Sequence, residues 1–469
     1  MQMYLAGEWV SKPKTVPVTN PFQGDILDTV PIASPEDVAV TVSRLVDGAK
    51  AMRALSAWDR AQLLNRAADL MEERSEDFAR TISAEEGKIL AEGRLETSRS
   101  IETLRVSAEE AKRVVGEMVP LDAAPSAAGK FGFTIRIPCG VVAAITPFNF
   151  PLNLVCHKVG PALAAGNAIL IKPASDTPLS ALKLTQVLLE AGFPAHAVAC
   201  LTGSGSELGA AICSDARIRK ITFTGSAEVG QKLSQLAGLK RITLELGGNA
   251  PVIVMQDADL ELAAKAIAAS GFGNAGQTCI STQRVLVMEQ VAADFLDALQ
   301  PRVAALKAGD QFDESHQLGP LVREADAIRV ESWLKDAIQQ GAQAVVHGHR
   351  DGAVLSPYLL DQVDARQKIS CDELFGPAVA VTRVTSLDES LQIANNTPYG
   401  LSAGIFTQDL SNTMRFMRDM EAGNLHVNWA SQWRADLMPY GGLKHSGYGK
   451  EGPKYAIQEM TEEKMIVIH

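Results

Sequence analysis

Little in this chain points toward a large polymeric partner. Only 5% of its 469 residues are aromatic, and a formal net charge of −11 comes with no long basic run. Phosphate-backbone binding is mostly counterion release by clustered Lys and Arg, often with aromatic stacking, so no nucleic acid is expected as a partner. No apolar stretch approaches the roughly 20 residues that a membrane helix needs. The opening Met1-Gln2-Met3-Tyr4-Leu5-Ala6-Gly7-Glu8-Trp9 has neither the positive nor the apolar region of an export signal. The cysteines at 139, 156, 200, 213, 279 and 371 show no CxxC spacing, which argues against a disulfide framework and fits a reduced, cytoplasmic setting. His157 and His445 have no metal-like partner at i+4, so no metal is expected. What is present is an ordinary globular composition, 46% hydrophobic and 21% charged. The length suggests roughly two to four domains.

From Pro35 to Met52, Val38, Val42, Leu45, Val46 and Ala49 form a helical stripe with Ser34 as its cap. A second amphipathic stretch runs from about Trp58 to Ile82 and a charged third from about Ala91 to Val115, giving a helical lead-in. Phe131–Ile137 alternates with period two and reads as a strand, as does Lys464–Ile468 at the end of the chain. Neither has a helix crossover of its own, so each is expected to be an exposed edge seeking a partner. Between Gly140 and Met255 apolar strands alternate with helices: Val141–Ile145, Ala168–Lys172, Ala197–Leu201 and Ile221–Thr224 are the strands. That alternation predicts an α/β fold with a parallel, doubly wound sheet, which binds ligands beyond the carboxyl ends of its strands. Thr146-Pro147-Phe148-Asn149, Lys172-Pro173-Ala174-Ser175 and Thr224-Gly225-Ser226 converge there. A second alternating region, from Pro251 to about Val427, carries Cys279.

Several residues can be read for chemistry or for packing. Cys279 follows Gly276-Gln277-Thr278, a turn with little to bury, so it is either a small buried hydrophobe or a nucleophile beside backbone N–H groups. Glu245 sits among Leu244, Leu246 and paired glycines. On the surface it is unremarkable, whereas an apolar setting would raise its pKa toward that of a general base. Asn149, between Pro147 and Pro151, is a turn former or an oxyanion donor. Phe223–Gly230 places Gly225 and Ser226 at a strand-to-helix junction suited to phosphate, although it is not a GxGxxG sequence. Lys172 ends an apolar strand, either snorkelling or meeting a ribose or phosphate.

Seven segments then fall in a recognisable order: Pro147-Phe148-Asn149-Phe150-Pro151, Lys172-Pro173-Ala174, Phe223-Thr224-Gly225-Ser226, Glu245-Leu246-Gly247-Gly248, Gly276-Gln277-Thr278-Cys279, Glu373-Leu374-Phe375-Gly376-Pro377 and Pro439-Tyr440-Gly441-Gly442. The chain resembles the NAD(P)-dependent aldehyde dehydrogenase superfamily over nearly its whole length. The resemblance implies two doubly wound parallel-sheet domains plus a small β oligomerisation element. Residues 1–119, 139–246 and 428–455 would form the NAD(P)-binding domain, and 247–427 the catalytic domain. Residues 120–138 and 456–469 would be the element that makes a homodimer or homotetramer.

By the same resemblance Cys279 is the nucleophile, Asn149 with the Cys279 N–H holds the oxyanion, and Glu245 activates the water that hydrolyses the thioester. Thr146, Pro147, Phe148, Lys172, Ser175, Gly225, Ser226, Glu373 and Phe375 fall to the cofactor, NAD or NADP. Relatives that prefer NAD often carry glutamate where Ser175 stands, and serine tolerates a 2′-phosphate that a carboxylate would repel. Arg99 and Arg434 match positions that border the substrate mouth and suit a small polar or anionic aldehyde, since a guanidinium grips an anion bidentately. Arg434 otherwise reads as a surface ion pair with Asp436. Some phosphate-recognising relatives carry arginine immediately before the cysteine, where this chain has Thr278. A CoA-acylating enzyme and a non-catalytic relative are the alternatives, and Glu245 favours hydrolysis over acyl transfer to CoA.

Overall fold

The computed structural model describes residues 1–469. Its first parallel sheet starts from the middle, at Val141–Ile145. Ala168–Lys172 and Val198–Cys200 add on one side, and Ile218–Thr224 and Arg241–Glu245 on the other, all in parallel. Every residue of Val141–Ile145 and of Ala168–Lys172 is buried, as strands covered by helices on both faces require. The change of direction between Val141–Ile145 and Ile218–Thr224 opens a crevice at the carboxyl edge of the sheet. Ile145, Lys172, Thr224 and Glu245 end their strands at that edge.

Leu246–Asn249 leads directly into a second sheet, ordered Gln343–Val346, Tyr358–Asp361, Ala378–Val384, Thr282–Met288, Ala250–Val254, Ser402–Phe406 and Asn424–Val427. Its strands are parallel except the outermost, Gln343–Val346. Cys279 precedes Thr282–Met288 and Phe375 precedes Ala378–Val384. The second sheet therefore offers the amino-terminal ends of its strands where the first offers carboxyl ends, and Cys279, Glu245 and Phe375 come together at that seam.

The two strands expected to lack partners are each other's partner. Thr461–Ile468 runs antiparallel to Phe131–Pro138, with Thr461 opposite Pro138 and Ile468 opposite Phe131, and Met118–Val119 adds a third strand. Local pattern cannot show a pairing between segments so far apart in sequence. The outer side of Thr461–Ile468 is left as an edge, and on the other side Met118–Val119 covers only Phe133 and Gly132.

In the lead-in, Ser34 caps Pro35–Ala54 through a reciprocal box with Asp37. The stretch read as one helix from Trp58 is two, Ala57–Glu73 and Ser75–Glu86, parted at Arg74, and Leu90–Ala111 follows. No helix is long and apolar enough to cross a membrane.

Candidate active site

Two cavities meet at the seam. One of about 760 Å³ occupies the crevice of the first sheet, and one of about 430 Å³ lies against it. Leu154, Thr224, Leu246 and Cys279 line both, so the cysteine stands where the contents of the two would touch.

The Cys279 sulfur lies 3.2 Å from the Tyr440 hydroxyl. Burial pushes its thiol up to about 12, with the Tyr440 hydroxyl acting in the opposite sense. The turn before it must contain a glycine: Gly276 has φ +73°, and a Cβ there would sit 2.0 Å from the Gly376 carbonyl oxygen. Asn149 Nδ2 donates to the Gln277 carbonyl at 2.8 Å, which fixes the amide plane and leaves its second N–H uncommitted. Gln277 is anchored in turn, its Oε1 accepting the Val322 N–H at 3.0 Å.

Glu245 is buried, and neither of its oxygens has a hydrogen-bond partner. Burial, reinforced by the neighbouring Glu451 carboxylate, holds its carboxyl well above the usual range. The apolar setting that the sequence could only suppose is therefore present. Close packing keeps it in place, since a Cβ at Gly441 would be 2.7 Å from Glu245 Oε1. Glu451 behaves oppositely. Burial would raise it, but Lys158 and Arg434 outweigh that effect and hold it at about 2. Lys158 also donates to Thr224 Oγ1 at 2.6 Å.

Arg434 does not form the surface pair with Asp436 that the sequence allowed. Its side chain is 6% exposed, with Nη1 3.0 Å from Glu451 Oε2. The guanidinium lies over the Tyr440 ring, 4.0 Å from its centroid. Its Nη2 is 3.1 Å from His157 Nδ1, while its buried Nε has no partner. Asp436 instead takes Arg99 at 2.9 Å, His157 Nε2 at 2.9 Å and Asn153 at 3.2 Å. Arginine only donates, so His157 accepts at Nδ1 and donates from Nε2, a neutral ring. Burial, then the Arg434 charge, pushes that ring down to about 4. Arg99 is 28% exposed at the rim. Both arginines line the smaller cavity.

The larger cavity is lined by Thr146, Pro147, Phe148, Asn149, Lys172, Ser175, Gly225, Ser226, Glu373 and Phe375 together. Its size is in the range of small-molecule and cofactor sites. Ser226 caps Ala227–Ala237 by accepting the Val229 N–H, so a helix N-terminus faces the crevice. A Cβ at Gly225 would come 2.5 Å from the Phe223 ring, and one at Gly247 2.3 Å from Glu373 Oε2. Glu373 accepts the Gly248 N–H at 2.9 Å, and burial pushes it up to about 7. Phe375 holds φ +54° and meets the Phe148 ring edge-on at 5.9 Å. Lys172 donates to the Pro173 carbonyl at 2.7 Å, and burial lowers it to about 8. The buried Thr146 hydroxyl has no partner. A helix N-terminus, close backbone approach, an orphaned hydroxyl and a lysine fit a dinucleotide's phosphates and riboses.

Sequence reading gave no role to Tyr440, Glu451, His157 or Lys158. For the last two a signal existed: His and Lys are adjacent in the middle of the wholly buried helix Asn153–Ala164, where only Asn153 is otherwise polar, and buried polar groups there require partners.

A cysteine shared between a dinucleotide-sized crevice and a second, charged cavity defines a class of two-site oxidoreductases. The chain belongs to the aldehyde dehydrogenase family, whose pattern matches residues 9–466, and it is an NAD(P)-dependent enzyme. It is 45% identical to 3-sulfolactaldehyde dehydrogenase of Priestia aryabhattai, over 100% of this chain and 98% of that one. Aldehyde dehydrogenase 21 of Physcomitrella patens, in complex with its reaction product succinate, superposes with a TM-score of 0.97. It is 37% identical, with 100% of this chain and 98% of that one covered. An NADP-dependent glyceraldehyde-3-phosphate dehydrogenase of Bacillus halodurans, complexed with NADP, also gives a TM-score of 0.97. Its identity is 34%, with coverage of 100% and 99%.

Proposed function

We propose that this chain oxidises a small aldehyde with an anionic end, a carboxylate or sulfonate, to the corresponding acid through a cysteine-bound acyl group hydrolysed by water. The observation that carries this is the arrangement around Cys279: its sulfur lies between the cofactor crevice and a second cavity lined by both Arg99 and Arg434. Cys279 Sγ attacks the aldehyde carbon. The free Asn149 N–H and the Cys279 backbone N–H hold the resulting oxyanion. The cofactor, when bound, supplies the hydride acceptor. Glu245, whose carboxyl burial and the Glu451 charge hold above the usual carboxylate range, then takes the proton of the water that attacks the thioester. Arg434 grips the anionic end while Glu451, His157 and the Tyr440 ring hold its guanidinium, and Arg99 adds a second charge at the rim.

On this reading the first sheet forms the cofactor domain, the second the catalytic domain, and the three-stranded sheet an oligomer contact in a cytoplasmic homodimer or homotetramer. The exposed Ser175 hydroxyl, bonded to the Gly203 carbonyl at 3.0 Å, puts no carboxylate against a 2′-phosphate, so NADP is accepted.

The test is an absorbance assay at 340 nm with 3-sulfolactaldehyde, succinate semialdehyde, glyceraldehyde 3-phosphate, lactaldehyde and propanal, repeated with Arg434→Met. An ion-assisted hydrogen bond is worth about 1.5–3 kcal/mol, so KM for the anionic aldehydes should rise roughly 10- to 100-fold while that for propanal holds. An unchanged KM on every anionic aldehyde rejects the anion pocket. Acyl-CoA formed when CoA is added rejects hydrolysis.

A further inference from the structure

The turn that delivers Cys279 is held from outside the helix Leu260–Phe272 and the strand Thr282–Met288 that flank it. Asn274, Ala275 and Gly276 have φ of 52°, 50° and 73°, three left-handed residues in succession, of which only the last is glycine. Residues with a side chain disfavour that region, so contacts elsewhere must hold the turn. They come from the helical lead-in. Glu92 Oε1 accepts the Asn274 backbone N–H at 2.8 Å, and Glu86 Oε1 accepts its Nδ2–H at 3.0 Å. The same amide donates to the Asn149 backbone carbonyl at 3.1 Å, and Lys88 Nζ donates to that carbonyl at 2.6 Å. Lys88 is fully buried, bonded to Glu96 at 2.8 Å and seated over the Phe150 ring.

Asn274 thus ties the two halves of the oxyanion site to each other. Its own Oδ1 is buried without a partner, an unfavourable feature in a residue that serves stability alone. Resting on the roles given above to Cys279 and Asn149, we propose that Asn274 is a positioning residue for the oxyanion contact. Its amide, oriented by Glu86, fixes the Asn149 backbone against the Cys279 turn so that the Asn149 amide and the Cys279 N–H converge on one oxygen. The Glu86–Lys88 corner of the lead-in is then part of the catalytic support as well as of the core.

Asn274→Gly deletes the amide while giving the left-handed backbone the residue that fits it best, and that relief offsets the loss of the Glu86 contact. Four measurements follow: cofactor-free acyl transfer from p-nitrophenyl acetate, which needs nucleophile and oxyanion site; alkylation of Cys279 by iodoacetamide, which needs the nucleophile alone; the cofactor dissociation constant; and Tm. Misplacing a reacting group by about 1 Å costs on the order of 100-fold. The ester kcat should therefore fall roughly 10- to 100-fold, with alkylation, cofactor affinity and Tm unchanged. Lys88→Met, which removes the other tether on the Asn149 carbonyl, should give the same split between ester turnover and alkylation. Wild-type ester turnover in Asn274→Gly overturns the proposal. So does a parallel loss of alkylation, which would make Asn274 a support for the nucleophile instead. Failure of the underlying reading looks different: Cys279→Ala would keep its ester turnover.

Discussion

Replacing Tyr440 by phenylalanine isolates one contact to the sulfur. The Tyr440 hydroxyl has a single hydrogen-bond partner, Cys279 Sγ at 3.2 Å. The ring has other duties, packing with Ile280 and Leu401 and lying under the Arg434 guanidinium, and phenylalanine keeps them. The substitution therefore removes a donor to the thiolate and almost no packing. A hydrogen bond to a charged group is worth about 1.5–3 kcal/mol, or roughly one to two pKa units. A thiol already pushed up to about 12 by burial would rise further, and the thiolate at any fixed pH would drop about 10- to 100-fold. The assay is the iodoacetamide alkylation rate against pH in a Cys139→Ser, Cys371→Ser background, because those two cysteines are the others with solvent access. The rate curve should move to higher pH, kcat/KM near neutrality should fall in step, and Tm should change by less than about 2 °C. An unchanged or faster alkylation would refute the reasoning, since it would mean that the hydroxyl accepts from the thiol and does not stabilise the thiolate.

Glu245→Gln should leave formation of the acyl enzyme intact, visible as one burst of reduced cofactor per site, and slow the following turnover roughly 100- to 10,000-fold. The same variant should alter stability in a pH-dependent way. Glu245 is raised in the folded state, so the stability it contributes is present below the ordinary carboxylate pKa of about 4.3 and is lost as pH climbs toward its folded value. Glutamine has no proton to lose, so the melting temperature of the variant should exceed that of the wild type by more at pH 8 than at pH 5. Ser175→Glu, placing a carboxylate in the crevice near Lys172, should weaken NADP at least about tenfold by equilibrium titration while NAD binds as before or better.

Much of the fold was legible because it is written locally. Apolar runs such as Ala168–Lys172 and the Ser34 cap specify their elements through contacts a few residues long, and the observed strand and helix fall where the pattern puts them. Where an element depends on a distant partner, the pattern misled. Phe131–Ile137 and Lys464–Ile468 each read as an exposed edge seeking a partner, and only the resemblance put their segments in one element, because the strand that satisfies each lies more than 300 residues away along the chain. Arg434 beside Asp436 looked like a surface pair, yet burial gives Arg434 to Glu451 and Asp436 to Arg99 and His157. Of the lead-in only Arg99 was given a role from the sequence, and only the docking of these helices shows Glu86, Lys88 and Glu92 reaching the turns around Asn149 and Cys279.

The sequence by itself determined the alternation that makes two parallel sheets, the glycines that let the backbone close on Cys279, and the order of motifs that names the family. Those depend on backbone propensity and side-chain type, which a linear string contains. The tertiary structure alone decided which charges are buried together: why Glu245 is raised while Glu451 is held down, why His157 is neutral, and why Arg434 pairs with Glu451. Desolvation and Coulomb terms depend on distance through space and on access to water, and neither exists until the two sheets meet.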